Sequence, residues 1–391
     1  MWERLLEEIL KAPVELALRD EADRDLLRAV ASGNGWPLAG PCLQREEGIR
    51  RPGRRGTRRL KIILSVGLAG FPEEARWLYP ATLDLRWEGG RWEITGWEWA
   101  RIPPWALMPG RPWISERFVF ITPREFPGRQ AGWILGRLEA FREEIEGRLP
   151  PEARRPGYLV VWAPNPRLYA EMVGAPPASR AATLYTTRPI RRDGQVIGCR
   201  PAEPIVVLNG ANLEGDLARR SRRLKEVLRH ELVHAALAGW QVPWRPIWLV
   251  EGAATFYARQ RFWQRLARED ARAIRVLAKH ILKSVYVDFF SPRQAFLEMA
   301  VASAMAEFVH ERYGGEVFFA LYKSFAEAPA EVVRRHAGDP LAWSQAEQIA
   351  WELTPTLLQQ HLGVREEELL DAFANWVLPR LSGARKRPAG R

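Results

Sequence analysis

The chain has 391 residues, more than one ordinary hydrophobic core requires, which predicts two or three domains. Hydrophobic residues at 47% and charged residues at 27% give a globular balance, and no run of about eighteen apolar residues exists to cross a bilayer as a helix. Lysine and arginine outnumber aspartate and glutamate by 58 to 47, a net +11, so a nucleic-acid binder is one rival reading. The arginines are nevertheless interspersed with glutamates, as in Arg142-Glu143-Glu144, and read as a solvated surface.

The opening Met1-Trp2-Glu3-Arg4-Leu5-Leu6-Glu7-Glu8 carries acids where a secretory signal needs a basic region and an apolar block, so the expected location is cytoplasmic. Residues 2–11 and 21–31 have helical apolar spacing, and 33–41 break the pattern. After a basic loop, Arg50 to Arg59, come three expected strands, 60–66, 82–87 and 92–97. The last two flank Glu88-Gly89-Gly90-Arg91, whose paired glycines suit a tight hairpin turn. Trp87, Trp92, Trp97 and Trp99 could line a ligand pocket, although core packing is the commoner use of such side chains. Cys42 and Cys199 form no disulfide framework and no metal knuckle.

Residues 103–115 are proline-rich and read as a linker between a small α+β domain, 1–102, and a larger domain, 116–380. The larger domain opens with a β-α-β alternation: a strand over 118–121, a helix over 130–148 with Ile134, Leu138, Phe141 and Ile145 on one face, and a strand over 158–162. Strands over 183–187 and 195–199 flank Asp193-Gly194. Pro204-Ile205-Val206-Val207-Leu208 is a further short strand, and its leading proline suggests a sheet edge. A second basic cluster, Arg219 to Arg223, again reads as solvated surface.

The stretch with the clearest chemistry is Arg229-His230-Glu231-Leu232-Val233-His234-Ala235, within a helix expected over 224–237. His230 and His234 stand four apart, so one helical face presents both imidazoles to a single metal ion. Glu231 then lies beside that ion, where a carboxylate can take a proton from a water whose pKa the metal lowers to about 7. Leu224, Val227, Leu228 and Ala235 can turn inward, and Gly239 can stop the helix. A catalytic zinc takes three protein ligands and leaves one position open. Glu251, seventeen residues after His234 in Trp248-Leu249-Val250-Glu251-Gly252-Ala253-Ala254-Thr255-Phe256-Tyr257, is the candidate third ligand. The gap leaves room for the end of one helix, a turn and the start of the next.

This pairing resembles the gluzincin zinc metallopeptidases, whose two histidines and catalytic glutamate in HExxH are followed by a WLxEGxA glutamate on the next helix. The resemblance implies one Zn2+ held by His230, His234 and Glu251, with Glu231 as general base, acting on a peptide or protein substrate. It also implies a zincin-like fold with a mixed sheet and a mainly helical C-terminal half. In it the strand at 204–208 would be the edge that pairs with substrate. The segment 299–325, including Ala306-Glu307-Phe308-Val309-His310-Glu311-Arg312-Tyr313-Gly314-Gly315, resembles the helix pair that closes the site, and 362–376 resembles the final helix. The hairpin Leu83-Asp84-Leu85-Arg86-Trp87-Glu88-Gly89-Gly90-Arg91-Trp92-Glu93-Ile94-Thr95-Gly96 resembles a nuclear-transport-factor-like cone.

One position departs from the pattern. Where the aminopeptidase branch carries a tyrosine that donates to the reaction's oxyanion, this chain has Met299, which has no proton to give. Tyr286 is the nearest substitute in sequence, with Tyr257, Tyr185 or an arginine as alternatives. Thr255, one helical turn after Glu251, is a candidate to support that ligand through a hydrogen bond. His280, His310, His336 and His361 lack ligand spacing, and 381–391 is a basic tail. The alternative function is a catalytically weak or inactive gluzincin-like protein that acts as a binding module.

Overall fold

The computed structural model describes the strands between residues 14 and 99 and, from 104 on, every residue except 109, 175–178, 186, 193–194, 202, 261, 288–290, 337–342 and 386–391. The fold is α+β. Two compact units make up the chain: residues 1–141, 155–186 and 202–225 in one, residues 142–154, 187–201 and 226–391 in the other. Both are assembled from separate stretches of chain. Among the described residues no helix is long and apolar enough to cross a membrane.

In the first unit, β1 (Val14–Glu15), β2 (Leu38–Arg45), β3 (Thr57–Leu68), β4 (Trp77–Glu88) and β5 (Arg91–Trp99) form a sheet in the order β1-β5-β4-β3-β2. All neighbours are antiparallel except β1, which runs parallel to β5. Glu88 pairs with Arg91, so β4 and β5 are antiparallel neighbours up to the residues that flank the expected turn. Along β4 the side chains of Tyr79, Ala81, Leu83 and Leu85 are buried while Thr82, Asp84 and Arg86 are half-buried, the period-two pattern of a sheet with one covered face. β1 and β2 were not legible as strands. The helices expected over 2–11 and 21–31 lie outside the described residues, as do the side chains of Trp87, Trp92, Trp97 and Trp99.

The same unit contains a mixed sheet, β6 (Arg111–Ile114), β7 (Phe118–Thr122), β8 (Tyr158–Ala163), β9 (Ala181–Leu184) and β12 (Ile205–Asn209), in the order β6-β7-β8-β12-β9. Its three central strands are parallel, and β6 and β9 flank them antiparallel. Every residue of β7, β8 and β12 is buried, which explains why Phe-Val-Phe-Ile, Tyr-Leu-Val-Val-Trp and Ile-Val-Val-Leu are unbroken apolar runs instead of alternating ones. Between β7 and β8 runs α2 (Gly128–Glu146), with Ile134, Leu138, Phe141 and Ile145 buried as its spacing predicts.

Two expectations are corrected here. The stretch 103–115 is not a bare linker: it holds α1 (Pro104–Leu107) and β6, where Pro112 is tolerated because β6 is an edge. The strand at 204–208 is not an edge. β12 is bonded on both sides, to β8 and to β9, and the edge strand is β9. Pro204 stands just before β12, so its missing N–H removes no ladder bond.

Three further helices complete the described parts of this region: α3 (Pro166–Val173), α4 (Gly210–Ala218) and the start of α5 (Arg222–Leu237). Asn165 caps α3 by accepting from the Leu168 N–H, and Ser221 does the same for the Leu224 N–H of α5.

The second unit is predominantly helical. It contains the hairpin β10 (Thr187–Arg192) and β11 (Gln195–Pro201), the rest of α5, and α6 (Ile247–Tyr257), α7 (Ala271–Ile281), α8 (Pro292–Tyr313), α9 (Gly315–Ser324), α10 (Ala330–His336), α11 (Trp343–Leu362) and α12 (Glu366–Arg385). Burial pushes the Cys199 thiol on β11 up to about 12, which makes it inert as a nucleophile at neutral pH. The long helix α8 packs along α6, with Ala300, Val301, Ala302, Ala304, Met305 and Ala306 all buried. Small residues let two helix backbones approach closely.

Leu208 is fully buried in the centre of its sheet. Leu208→Ala is expected to destabilise the protein by about 2–5 kcal/mol in urea unfolding, the range for a core leucine that leaves a cavity. A loss under about 1 kcal/mol would contradict an interior β12.

Candidate metal centre

α5 carries His230, Glu231 and His234, and α6 carries Glu251. On α5, Leu224, Leu228 and Ala235 are buried as expected, with Leu232, Val233 and Ala236 buried too; Val227 is only half-buried. The connection between the helices is a 3-10 turn, Ala238–Trp240, followed by Gln241 to Pro246. That connection is pinned to the end of α9. Trp244 Nε1 donates to the Phe325 carbonyl at 2.7 Å, and the buried Arg245 guanidinium donates from Nε and Nη2 to the Tyr322 carbonyl at 3.1 and 2.8 Å. Arg245 also lies 3.9 Å from the centre of the Tyr322 ring and donates to Gln241 Oε1. These contacts set where α6 begins, and so where Glu251 stands.

The ligand atoms converge. His230 Nε2 and His234 Nε2 are 3.1 Å apart, and the Glu251 carboxylate lies 3.2 Å from the first and 3.4 Å from the second. His230, Glu231 and His234 are all less than a tenth exposed, and the Glu251 side chain is 15% exposed. Four bonds of about 2.0–2.1 Å at tetrahedral angles imply ligand-to-ligand distances of roughly 3.3–3.4 Å. The side chains here, with one Glu251 oxygen against each imidazole at 3.2 and 3.4 Å, stand close enough to share one ion. Two imidazole nitrogens and a carboxylate oxygen are also a donor set that suits a borderline cation such as zinc. Among the described residues this is the one group of three or more histidine, cysteine or acidic side chains close enough to hold an ion together.

The electrostatics follow from the same closeness. Burial opposes a charge on His230, but the hydrogen bond and charge of Glu251, with Glu231 and Gln260 adding to them, outweigh it and raise the imidazole to about 9. Burial likewise opposes the Glu251 charge, yet His234 and His230 hold its carboxyl well below the usual carboxylate range. A buried carboxylate is strongly disfavoured without such partners, and these groups are therefore arranged around positive charge.

Gly252 shows why a glycine follows Glu251. A Cβ there would fall 2.6 Å from the Ala302 carbonyl oxygen and 2.8 Å from Ala306 Cβ, so α6 and α8 can approach this closely only with hydrogen at that position. Thr255 does not take the role expected of it. Its hydroxyl donates to the main-chain carbonyls of Glu251 and Gly252 at 2.8 and 3.0 Å, the back-bonding open to a threonine inside a helix, so it braces α6 and not the carboxylate.

The tyrosines separate by environment. Tyr257 is buried, with its hydroxyl 3.0 Å from His310 Nε2, and burial raises its pKa well above that of an ordinary phenol. Tyr286 is 43% exposed and follows α7; two residues before it the Ser284 carbonyl accepts from the Ile247 N–H at the first position of α6, at 2.7 Å. The segment that carries Tyr286 is thus tied to the helix that carries Glu251.

Gln260 belongs to the centre and was not anticipated from the sequence. Its Oε1 lies 3.0 Å from His230 Nδ1, and its Nε2 donates to the Glu226 carbonyl at 3.0 Å. It stands nine residues past Glu251, outside both motifs and beyond the end of α6. No spacing rule could single it out.

No protein-family model matches the chain, and no curated protein matches it at a significant level.

Gly252→Ala forces α6 away from α8, and overpacking of this kind costs about 1–3 kcal/mol. The expected outcome is a lowered urea midpoint, and an unchanged midpoint would mean that α6 and α8 do not meet this closely.

Proposed function

We propose that the protein is a metal-dependent hydrolase, and more narrowly a zinc metallopeptidase of gluzincin type. The observation that carries this reading is the convergence of His230, His234 and Glu251 from two helices, their nearest nitrogens and oxygens 3.1 to 3.4 Å apart, with the buried Glu231 next in chain to the first histidine. His230, His234 and Glu251 would hold the ion. Bound there, Zn2+ would supply Lewis-acid polarisation of a carbonyl oxygen and an acidified water.

The remaining steps belong to the chain's own side chains. Glu231 accepts a proton from the attacking water as the oxygen adds to the substrate carbonyl carbon, then delivers it to the amine nitrogen as the C–N bond breaks. The same carboxylate therefore returns to its starting state each turnover. Tyr286 is assigned the hydrogen bond to the carbonyl oxygen as that oxygen gains negative charge; its anchored segment and exposed ring support the assignment. The substrate is a peptide or protein. A role in nucleic-acid binding draws no support from the dispersed arginines, many of which are engaged with acids, as Arg142 with Glu146, Arg229 with Glu144 and Arg365 with Glu368.

Three variants test the proposal. Glu231→Gln is expected to retain one zinc per chain by elemental analysis and to lose about 10²–10⁴-fold in peptide hydrolysis, the usual contribution of a general base. His234→Ala should lose the metal. Zinc bound stoichiometrically by a wild-type protein that cleaves no member of a peptide library would favour a binding module instead. Tyr286→Phe is expected to lower kcat by about 10²–10³ with KM little changed, the pattern for a contact made in the transition state; an unaltered kcat would remove Tyr286 from the mechanism.

A further inference from the structure

The end of α6 has an unusual backbone, and it places Gln260. Ala258 closes the helix, and Arg259 follows at a φ of +58°, a left-handed conformation that favours glycine. The Arg259 N–H donates to the Phe256 carbonyl at 3.0 Å, and the Gln260 N–H donates to the Thr255 carbonyl at 2.8 Å. This is the paired bonding of a Schellman cap, with an arginine where glycine is usual. Its consequence is a sharp reversal that sends Gln260 back toward α5.

Gln260 is held at every polar group. Besides its N–H, its carbonyl accepts from Ser303 Oγ on α8 at 3.4 Å, its Nε2 donates to Glu226 O, and its Oε1 meets His230 Nδ1. The Glu226 carbonyl can only accept, so the amide must turn its NH2 toward Glu226 and its oxygen toward the imidazole. An oxygen there requires a proton on His230 Nδ1. The neutral ring then carries its lone pair on Nε2, the atom that faces His234 and Glu251.

A second link supports the turn from outside. One oxygen of Glu144 lies 3.0 Å from Arg229 Nη2 and the other 3.1 Å from Arg259 Nε. The two arginines are the residues immediately before His230 and Gln260. One carboxylate therefore ties together the chain at both members of the imidazole–amide pair.

We infer that Gln260 is a positioning residue that presets the tautomer and aim of His230 for a metal ion, and that the left-handed Arg259, clasped by Glu144, holds Gln260 in place. The inference rests on the metal-site reading above. Groups that hold the outer nitrogen of a metal-ligating histidine commonly change metal affinity by about 10- to 100-fold when removed.

The test uses the full-length protein stripped of metal, with zinc titrated against a chromophoric chelator and the histidine side chains followed by proton–nitrogen NMR. Gln260→Leu is expected to bind zinc about 10- to 100-fold more weakly than wild type and to lose the slowly exchanging Nδ1–H signal of His230, with its backbone spectrum still that of the folded protein. Gln260→Glu keeps an acceptor opposite Nδ1 and should retain the signal and most of the affinity. Arg259→Gly keeps the left-handed turn but loses the Glu144 clasp and should fall between wild type and Gln260→Leu, whereas Arg259→Val, which loses the clasp and also resists positive φ, should resemble Gln260→Leu. If Gln260→Leu does not fold, Gln260→Asn, one methylene too short to bridge, carries the same comparison. Wild-type zinc affinity in Gln260→Leu or Gln260→Asn, persistence of the Nδ1–H signal there, or equal losses in the Leu and Glu variants would each overturn the inference. Should wild type bind no zinc, the metal-site reading fails, while the Nδ1–H comparison on metal-free protein still decides what Gln260 does.

Discussion

The constraint on which the second unit depends is the burial of two imidazoles and a carboxylate within hydrogen-bond distance of one another. Removing a carboxylate from water costs far more than packing can repay, unless positive charge stands beside it. A protonated His230 beside Glu251 supplies such charge, and a doubly charged cation between the same side chains would supply it in its place. The distances fit such an ion.

The surrounding helices hold the side chains of His230, His234 and Glu251 in register. α8 comes close enough to α6 to exclude any side chain at Gly252, so a shift of Glu251 along or away from its axis meets the backbone of Ala302. The connection between α5 and α6 is fastened through Trp244 and Arg245 to the end of α9, with Arg245 satisfied by main-chain carbonyls and an aromatic face while nearly inaccessible to water. The other end of α6 is folded back by the Arg259 turn. Each device fixes a boundary of the helix that carries Glu251, and the metal-site reading requires rigid support of this kind.

Much of the site was legible because helical periodicity is a local property. His230 and His234 share a face as soon as α5 is helical. The central strands were legible for a similar reason, since fully buried strands read as continuous apolar runs. Where expectation failed, the missing information was non-local. The proline before β12 suggested an edge, but a second partner, β9, bonds to it from elsewhere in the chain. The proline-rich stretch 103–115 looked like a linker because Pro112 is compatible with a sheet only at its border, and β6 occupies that border. Thr255 had the spacing to assist Glu251 yet turned its hydroxyl onto its own helix, where two carbonyls were nearer.

By itself, then, the amino-acid sequence determined which face of α5 carries the two histidines, which acid sits beside them, and that 118–121, 158–162 and 204–208 are strands, because these follow from spacing and hydrophobic pattern over a few turns of chain. The tertiary structure alone decided that Glu251 meets those histidines at ligand distances, that β9 and not β12 borders its sheet, and that Gln260 reaches back to His230. The physical reason is that each of these outcomes joins atoms brought together by helix packing and by one left-handed turn, and no periodicity in the chain records where a reversal of that kind will point.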